Sequence, residues 1–99
     1  MSQVEQVPAY DWENWVAEND GNVLDVREPK EWALGTLPDS VLLSIGQIIE
    51  RKDELDSDTP WLVVCHTGGR SQQVATYLAM NGYSAANLAG GMKALGLQD

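Results

Sequence analysis

Trp61-Leu62-Val63-Val64-Cys65-His66-Thr67-Gly68-Gly69-Arg70-Ser71 decides how this chain folds. Its first five residues are the longest uninterrupted apolar run in the 99-residue sequence. A short apolar run closed by a glycine-rich turn reads as a strand buried on both faces. Beyond Ser71 the spacing becomes helical, with Val74, Ala75 and Leu78 forming one stripe over about three turns. A strand therefore delivers Cys65 into a tight turn, and a helix starts where the turn ends. N–H groups at a helix start have no partner inside the helix, and they carry the positive end of its dipole. A thiol placed there loses its proton more easily. The same position suits a small anion. Cys65 is the only cysteine, so there is one candidate nucleophile.

Outward from this segment, strand and helix patterns alternate. Trp12, Trp15 and Val16 repeat at helical spacing after Asp11, an N-cap residue type. Asn19-Asp20-Gly21-Asn22 is a turn, and Val23–Val26 reads as a short buried strand. Pro29 suits the first position of a brief helical turn through Trp32. Val41-Leu42-Leu43 is a further apolar run. Ser44 and Gln47 form a capping-box pattern, which predicts a helix with Ile45, Ile48 and Ile49 on its inner face. Asn81-Gly82 stops the helix after the cysteine loop. Tyr83–Leu88 reads as a last strand, and Gly90-Gly91 leads into a short helix from Met92 to Leu95. Alternating elements with continuous apolar strands predict an α/β fold. Its central sheet is mostly parallel, with about five short strands and helices on both faces. Ligands in such sheets sit at the carboxyl ends of strands, where Cys65 falls. Trp12, Trp15, Trp32 and Trp61 read as core, because aromatic rings carry large burial area.

Length predicts one domain over residues 1–99, able to bury roughly 65% of its unfolded surface. A net charge of −9 with six Lys and Arg leaves no basic patch for nucleic acid or an anionic membrane. No apolar run is long enough to span a bilayer, and Met1-Ser2-Gln3-Val4-Glu5 is unlike a secretory leader. The expectation is a cytoplasmic monomer whose lone thiol stays reduced. Asp53-Glu54-Leu55-Asp56-Ser57-Asp58 reads as a solvated acidic loop rather than a docking site. One cysteine and one histidine cannot build a structural zinc site, and no motif calls for a cofactor.

Four segments occur in a telling order: Asp25-Val26-Arg27-Glu28-Pro29-Lys30-Glu31-Trp32, Gly35-Thr36-Leu37-Pro38-Asp39-Ser40, Cys65 to Ser71, and Leu88-Ala89-Gly90-Gly91. Together they resemble the signatures of the rhodanese family of sulfurtransferases, over nearly the whole chain. Thr36 stands where that family usually has histidine, Asp39-Ser40 where it has Gly-Ala, and Ala94-Leu95 where a tryptophan usually follows the glycine pair. The cysteine loop itself is intact.

The resemblance implies a rhodanese-like domain and a two-step sulfur relay. Cys65 takes the outer sulfur of a small anionic donor such as thiosulfate and becomes a persulfide. A thiol, cyanide or a protein acceptor then removes that sulfur. The loop residues suit this task. Gly68 and Gly69 allow a tight turn with unhindered N–H groups. Arg70 offers forked donors for an oxyanion, and Ser71 can cap the helix or donate to the thiolate. The resemblance makes His66, Thr67, Gly68, Gly69, Arg70 and Ser71 the substrate-binding loop, with His66 at the pocket rim, and Asp25 with Arg27 reads as a brace for the neighbouring loop. With no second cysteine, sulfur must leave to an external acceptor. Three other readings compete. A persulfide carrier shares the chemistry and differs in its partner. A non-catalytic rhodanese-like binding module usually lacks the cysteine. A phosphatase or arsenate reductase of the cysteine–arginine loop type has five residues between the two, against four here, so tetrahedral phosphate should fit poorly.

Overall fold

The computed structural model describes residues 4–96; Met1, Ser2 and Gln3, part of the start read as unlike a leader, lie outside the described residues. Its five strands are β1 (Glu5–Pro8), β2 (Asn22–Asp25), β3 (Val41–Leu42), β4 (Trp61–Val64) and β5 (Ala85–Ala89). They form one sheet in the order β1-β5-β4-β2-β3, and every pairing is parallel. β4 lies in the middle, flanked by β2 and β5, and all four of its residues are buried. That is why its sequence shows no alternation: both of its faces are covered.

The two faces build separate halves of the core. Trp61, Val63 and Cys65 point to the side that also holds Leu24, Val26, Leu43 and Ile48. The long helix α4 (Gly69–Met80) covers that side with Val74, Ala75 and Leu78. Leu62 and Val64 point the other way, toward Val7, Val23, Ala86 and Leu88. Trp15 of α1 (Trp12–Asn19) and Met92 of α5 (Gly91–Ala94) close this second side. In sequence α2 (Pro29–Trp32) and α3 (Ile48–Arg51) come between α1 and α4, and Ile48 of α3 joins the α4 side. Helices thus cover both faces of a parallel sheet, as the alternation of patterns predicts.

Two sequence expectations need correction, and one strand was not among those expected. β1 carries no strand signal, because this edge strand buries only Val7 among Glu5, Gln6 and Pro8. The Ser44–Gln47 capping box does not form. Ser44 Oγ meets Gln47 Oε1 at 3.0 Å, a side-chain pair with no cap bond to the backbone. A 3-10 turn over Ile45–Gln47 follows instead, pinned by the Ile45 amide donating to the Val26 carbonyl at 3.0 Å. Such a turn has three residues per revolution. The following helix is therefore out of phase with the expected face: Ile48 is buried but Ile49 is 71% exposed. Last, Trp15 and Trp61 are core, whereas Trp12 and Trp32 are half-buried. In the acidic stretch, Leu55 is buried while the carboxylates lie at the surface, Arg51 pairing with Glu54 at 2.8 Å.

Candidate active site

Cys65 is the first residue after β4, and α4 begins four residues later. The connecting turn is tight because Gly68 adopts φ 102°, a conformation that L side chains rarely accept. This turn folds the start of α4 back over the sulfur. Sγ accepts from the Gly68 amide at 3.1 Å, from the Ser71 amide at 3.3 Å and from the Ser71 hydroxyl at 3.3 Å. Cys65 is only 1% exposed, and burial by itself pushes its thiol up. The Ser71 hydroxyl and the amides of Ser71, Gly68 and Thr67 outweigh that push, so the net displacement is downward from 9.0. The thiolate is favoured by dipoles aimed at it rather than by contact with a cation.

The loop rests on the glycine pair at the end of β5. The Met92 and Lys93 amides, in the first turn of α5, donate to the Cys65 and His66 carbonyls at 2.9 Å each. The carbonyls pass so close to Gly91 that a Cβ there would stand 2.6 Å from the Cys65 oxygen and 2.4 Å from that of His66. Gly91 also has φ 63°, so glycine is required twice over. With its carbonyls held from behind, the loop turns its amides forward to the sulfur.

Arg70 leaves the turn in a direction that its sequence position does not reveal. Its guanidinium forks onto Glu31 of α2, Nη1 to Oε1 at 2.7 Å and Nη2 to Oε2 at 2.8 Å. Glu31 Oε1 also accepts the Glu28 amide at 2.9 Å, as part of a capping box that starts α2. The Arg70 hydrogen bonds hold the Glu31 carboxyl at about 2, well below its ordinary 4.5, against the opposing pull of burial. Arg70 is pushed up in turn, first by Glu31, with the Cys65 charge adding a smaller push.

Asp25 and Arg27 form a closed unit at the neighbouring strand end, and both are buried. Arg27 donates to Asp25 through Nε at 3.0 Å and Nη2 at 2.9 Å, and its own amide reaches Oδ1 at 3.0 Å. Trp32 Nε1 adds a bond to the same carboxylate at 3.2 Å. Arg27 Nη2 continues to the Gly35 carbonyl at 2.7 Å, tying down the segment after α2. Further along, Asp39 holds φ 61°, a left-handed conformation at the position where the resemblance expects glycine.

The fold therefore gathers Gly68 and Ser71 around the Cys65 sulfur, with His66 half-buried and Thr67 and Gly69 exposed. Asp25 and Arg27 stand apart, one strand away, and touch the sulfur nowhere. Two residues were not singled out by sequence reasoning. Glu31 lies three residues after Glu28, a capping spacing that could have marked it. Asn87 is a polar residue inside an apolar strand, 3% exposed, with its Oδ1 2.5 Å from Ser71 Oγ. Among the described residues, no group of three or more His, Cys, Asp or Glu is placed to hold a metal ion.

Comparison with known proteins bears on the family and the fold. The Rhodanese-like domain family matches residues 9–97. A putative sulfurtransferase of Bacillus subtilis, YtwF, is 39% identical over 72 residues, covering 73% of this chain and 70% of that protein. The thiosulfate sulfurtransferase GlpE of Pseudomonas paraeruginosa is 32% identical over 84 residues, covering 85% and 76% of the two chains. The crystal structure of a rhodanese-like domain protein from Staphylococcus aureus superposes with a TM-score of 0.85 at 29% identity, covering 96% of this chain and 97% of that one.

Proposed function

We propose that this chain, which belongs to the Rhodanese-like domain family, is a sulfurtransferase that carries sulfane sulfur on Cys65 between a small anionic donor and an external nucleophile. The observation that carries this reading is the set of amide and hydroxyl donors converging on Sγ from the start of α4. In the first step the Cys65 thiolate attacks the outer sulfur of thiosulfate. A new S–S bond forms, the old one breaks, and sulfite departs with the electron pair. Cys65 is left as a persulfide bearing the negative charge. In the second step a cyanide ion or thiolate attacks the terminal sulfur, the persulfide bond breaks, and the Cys65 thiolate returns. Charge stays near one point in both steps, so fixed dipoles that need no rearrangement suit both.

Thiosulfate as donor is supported by the Pseudomonas relative. N–H groups of Gly69 and Arg70 lie in the first turn of α4, where helices leave them without internal partners. They are our candidates for the donor's oxygens, with His66 and Thr67 at the rim. The Arg70 guanidinium joins them only by giving up Glu31. Asp25 and Arg27 act as a brace that keeps the segment after β2 in place beside the site. We read the protein as a cytoplasmic monomer that serves a thiol, cyanide or protein acceptor. Among the described residues no helix is long and apolar enough to cross a membrane.

Intact mass after incubation with thiosulfate tests the reading directly. Wild type should gain one sulfur, and Cys65→Ala none. Equal gain in both proteins, or none in either, overturns the assignment. Turnover of a generic aryl phosphate that depends on Cys65 would move the chain to the phosphatase class instead.

A further inference from the structure

Asn87 interrupts the apolar strand β5 between Ala86 and Leu88, and its side chain joins a file of hydrogen bonds that ends on Ser71. Two backbone carbonyls fix the direction of that file. Gln6 Nε2 donates to the Val4 carbonyl at 3.2 Å, and a carbonyl can only accept. Gln6 therefore turns Oε1 toward Asn87, which donates to it from Nδ2 at 2.9 Å. The Asn87 oxygen is then the atom facing Ser71 Oγ, at 2.5 Å. The other flank agrees. Thr76 Oγ1 donates to the Gln72 carbonyl at 2.9 Å and so accepts from Gln72 Nε2 at 3.2 Å. Gln72 consequently presents Oε1 to Gln6 Nε2, at 2.5 Å. Each amide is locked in the sense that offers Ser71 an acceptor.

The Ser71 hydroxyl has one proton and two takers, Asn87 Oδ1 at 2.5 Å and Cys65 Sγ at 3.3 Å. We propose that Asn87, held by Gln6, is a positioning residue that draws the Ser71 proton away from Cys65 and so opposes thiolate formation. The proposal rests on Cys65 being the sulfur-accepting nucleophile. While Sγ is a thiol, its own S–H can donate to Ser71 Oγ, and the file is satisfied throughout. When Sγ ionises, Ser71 must turn its proton to the sulfur, and the buried Asn87 oxygen loses a partner. Ionisation of Cys65 is thereby coupled to breaking the Ser71–Asn87 bond. The charged and titratable groups on the surrounding elements are Glu5 on β1, the Asp25–Arg27 pair at the end of β2, Glu28, Lys30 and Glu31 at α2, Arg70 and Tyr77 on α4, Lys93 on α5, and His66 in the loop. None of them is altered by a neutral change at Gln6, which is exposed and three hydrogen bonds from the sulfur.

The test is the pH profile of Cys65 alkylation by iodoacetamide, read by intact mass, which needs no sulfur donor. Gln6→Leu frees Asn87 to rotate its Nδ2 toward Ser71, sending the hydroxyl proton to Sγ. Its profile should move to lower pH by about half a unit, about threefold more thiolate on the acid side. Asn87→Asp is acceptor-only and should move the profile to higher pH. In a Ser71→Ala background the Gln6→Leu shift should vanish, because the effect passes through that hydroxyl. A Gln6→Leu profile that overlies wild type, or a shift that survives Ser71→Ala, overturns the proposal. Failure of wild type to gain sulfur from thiosulfate would overturn the sulfurtransferase reading alone, leaving the alkylation profiles as they are.

Discussion

β2 and β4 are paired neighbours, and a buried ionisable side chain stands at the end of each: Asp25, the last residue of β2, at 0% exposure, and Cys65, the residue after β4, at 1%. The two ends solve the same problem in different ways. Asp25 is neutralised by a full opposite charge in bidentate contact, with a tryptophan N–H and a backbone amide completing its shell. Nothing remains for that carboxylate to attack or bind. Cys65 receives backbone amides and one hydroxyl, all dipoles, while the nearest arginine is turned onto Glu31. Dipoles stabilise a charge without contacting it as a counter-ion, so the sulfur stays free to form a bond. On the proposed reading, burial with a counter-charge suits a brace and burial with dipoles suits a nucleophile.

That contrast can be broken most forcefully at Arg27. Arg27→Met leaves Asp25 buried and unpaired, which should cost about 3–5 kcal/mol of stability. Urea unfolding measures the loss. The alkylation profile of Cys65 at temperatures where the variant remains folded should match wild type, because no Asp25 or Arg27 atom touches Sγ. A large profile change would mean the two strand ends form one electrostatic unit, and the contrast would fail. Replacing both partners, Asp25→Leu with Arg27→Met, should recover part of the stability, since it removes the stranded charge.

The two ends also differ in how plainly the sequence announces them. The strand, glycine turn and helix around Cys65 are local features, each set by residues within a dozen positions, so spacing alone places the thiol at a helix start. The parallel sheet follows from apolar runs separated by helical patterns. What spacing cannot carry is direction. Arg70 is visible as a cation beside the cysteine, but its partner lies 39 residues away on α2. Asn87 reaches Ser71 from a different strand, and Gln6 reaches Asn87 from an edge strand whose one buried residue gives no periodic signal. Ile49 misleads because one 3-10 turn resets the phase of a four-residue helix. Local chemistry is written locally; the contacts that tune it depend on which elements the fold brings side by side.

Glu31 is where the two ends meet, since it lies just beyond the β2 end and holds the cation of the β4 end. With both terminal nitrogens of Arg70 engaged, a thiosulfate ion must compete with a carboxylate for them. Glu31→Gln weakens that competitor and removes a negative charge from the approach. Steady-state kinetics should show KM for thiosulfate falling by about threefold to tenfold, close to the 1 kcal/mol scale of a partly exposed ion pair, with kcat little changed. A higher KM would mean instead that Glu31 aims Arg70 at the donor, and that the cation belongs to the site after all.

Acid titration sharpens the same point with a smaller signal. Glu31 has a folded-state pKa of about 2 against an ordinary 4.5. A depressed carboxyl pKa means the unfolded chain binds the proton more readily, so the pair's contribution is whole above about 4.5. It declines as pH falls and is gone once the folded carboxyl titrates near 2. Because the pair is half-buried, its full contribution should be about 1 kcal/mol. Wild type and Glu31→Gln should therefore differ by about that amount in urea unfolding at pH 6 and converge as pH is lowered toward 2. Other carboxylates titrate in both proteins and cancel in the difference. A gap that stayed constant across this range would mean that the Arg70 contact holds by shape rather than charge, and the link between the two strand ends would be steric.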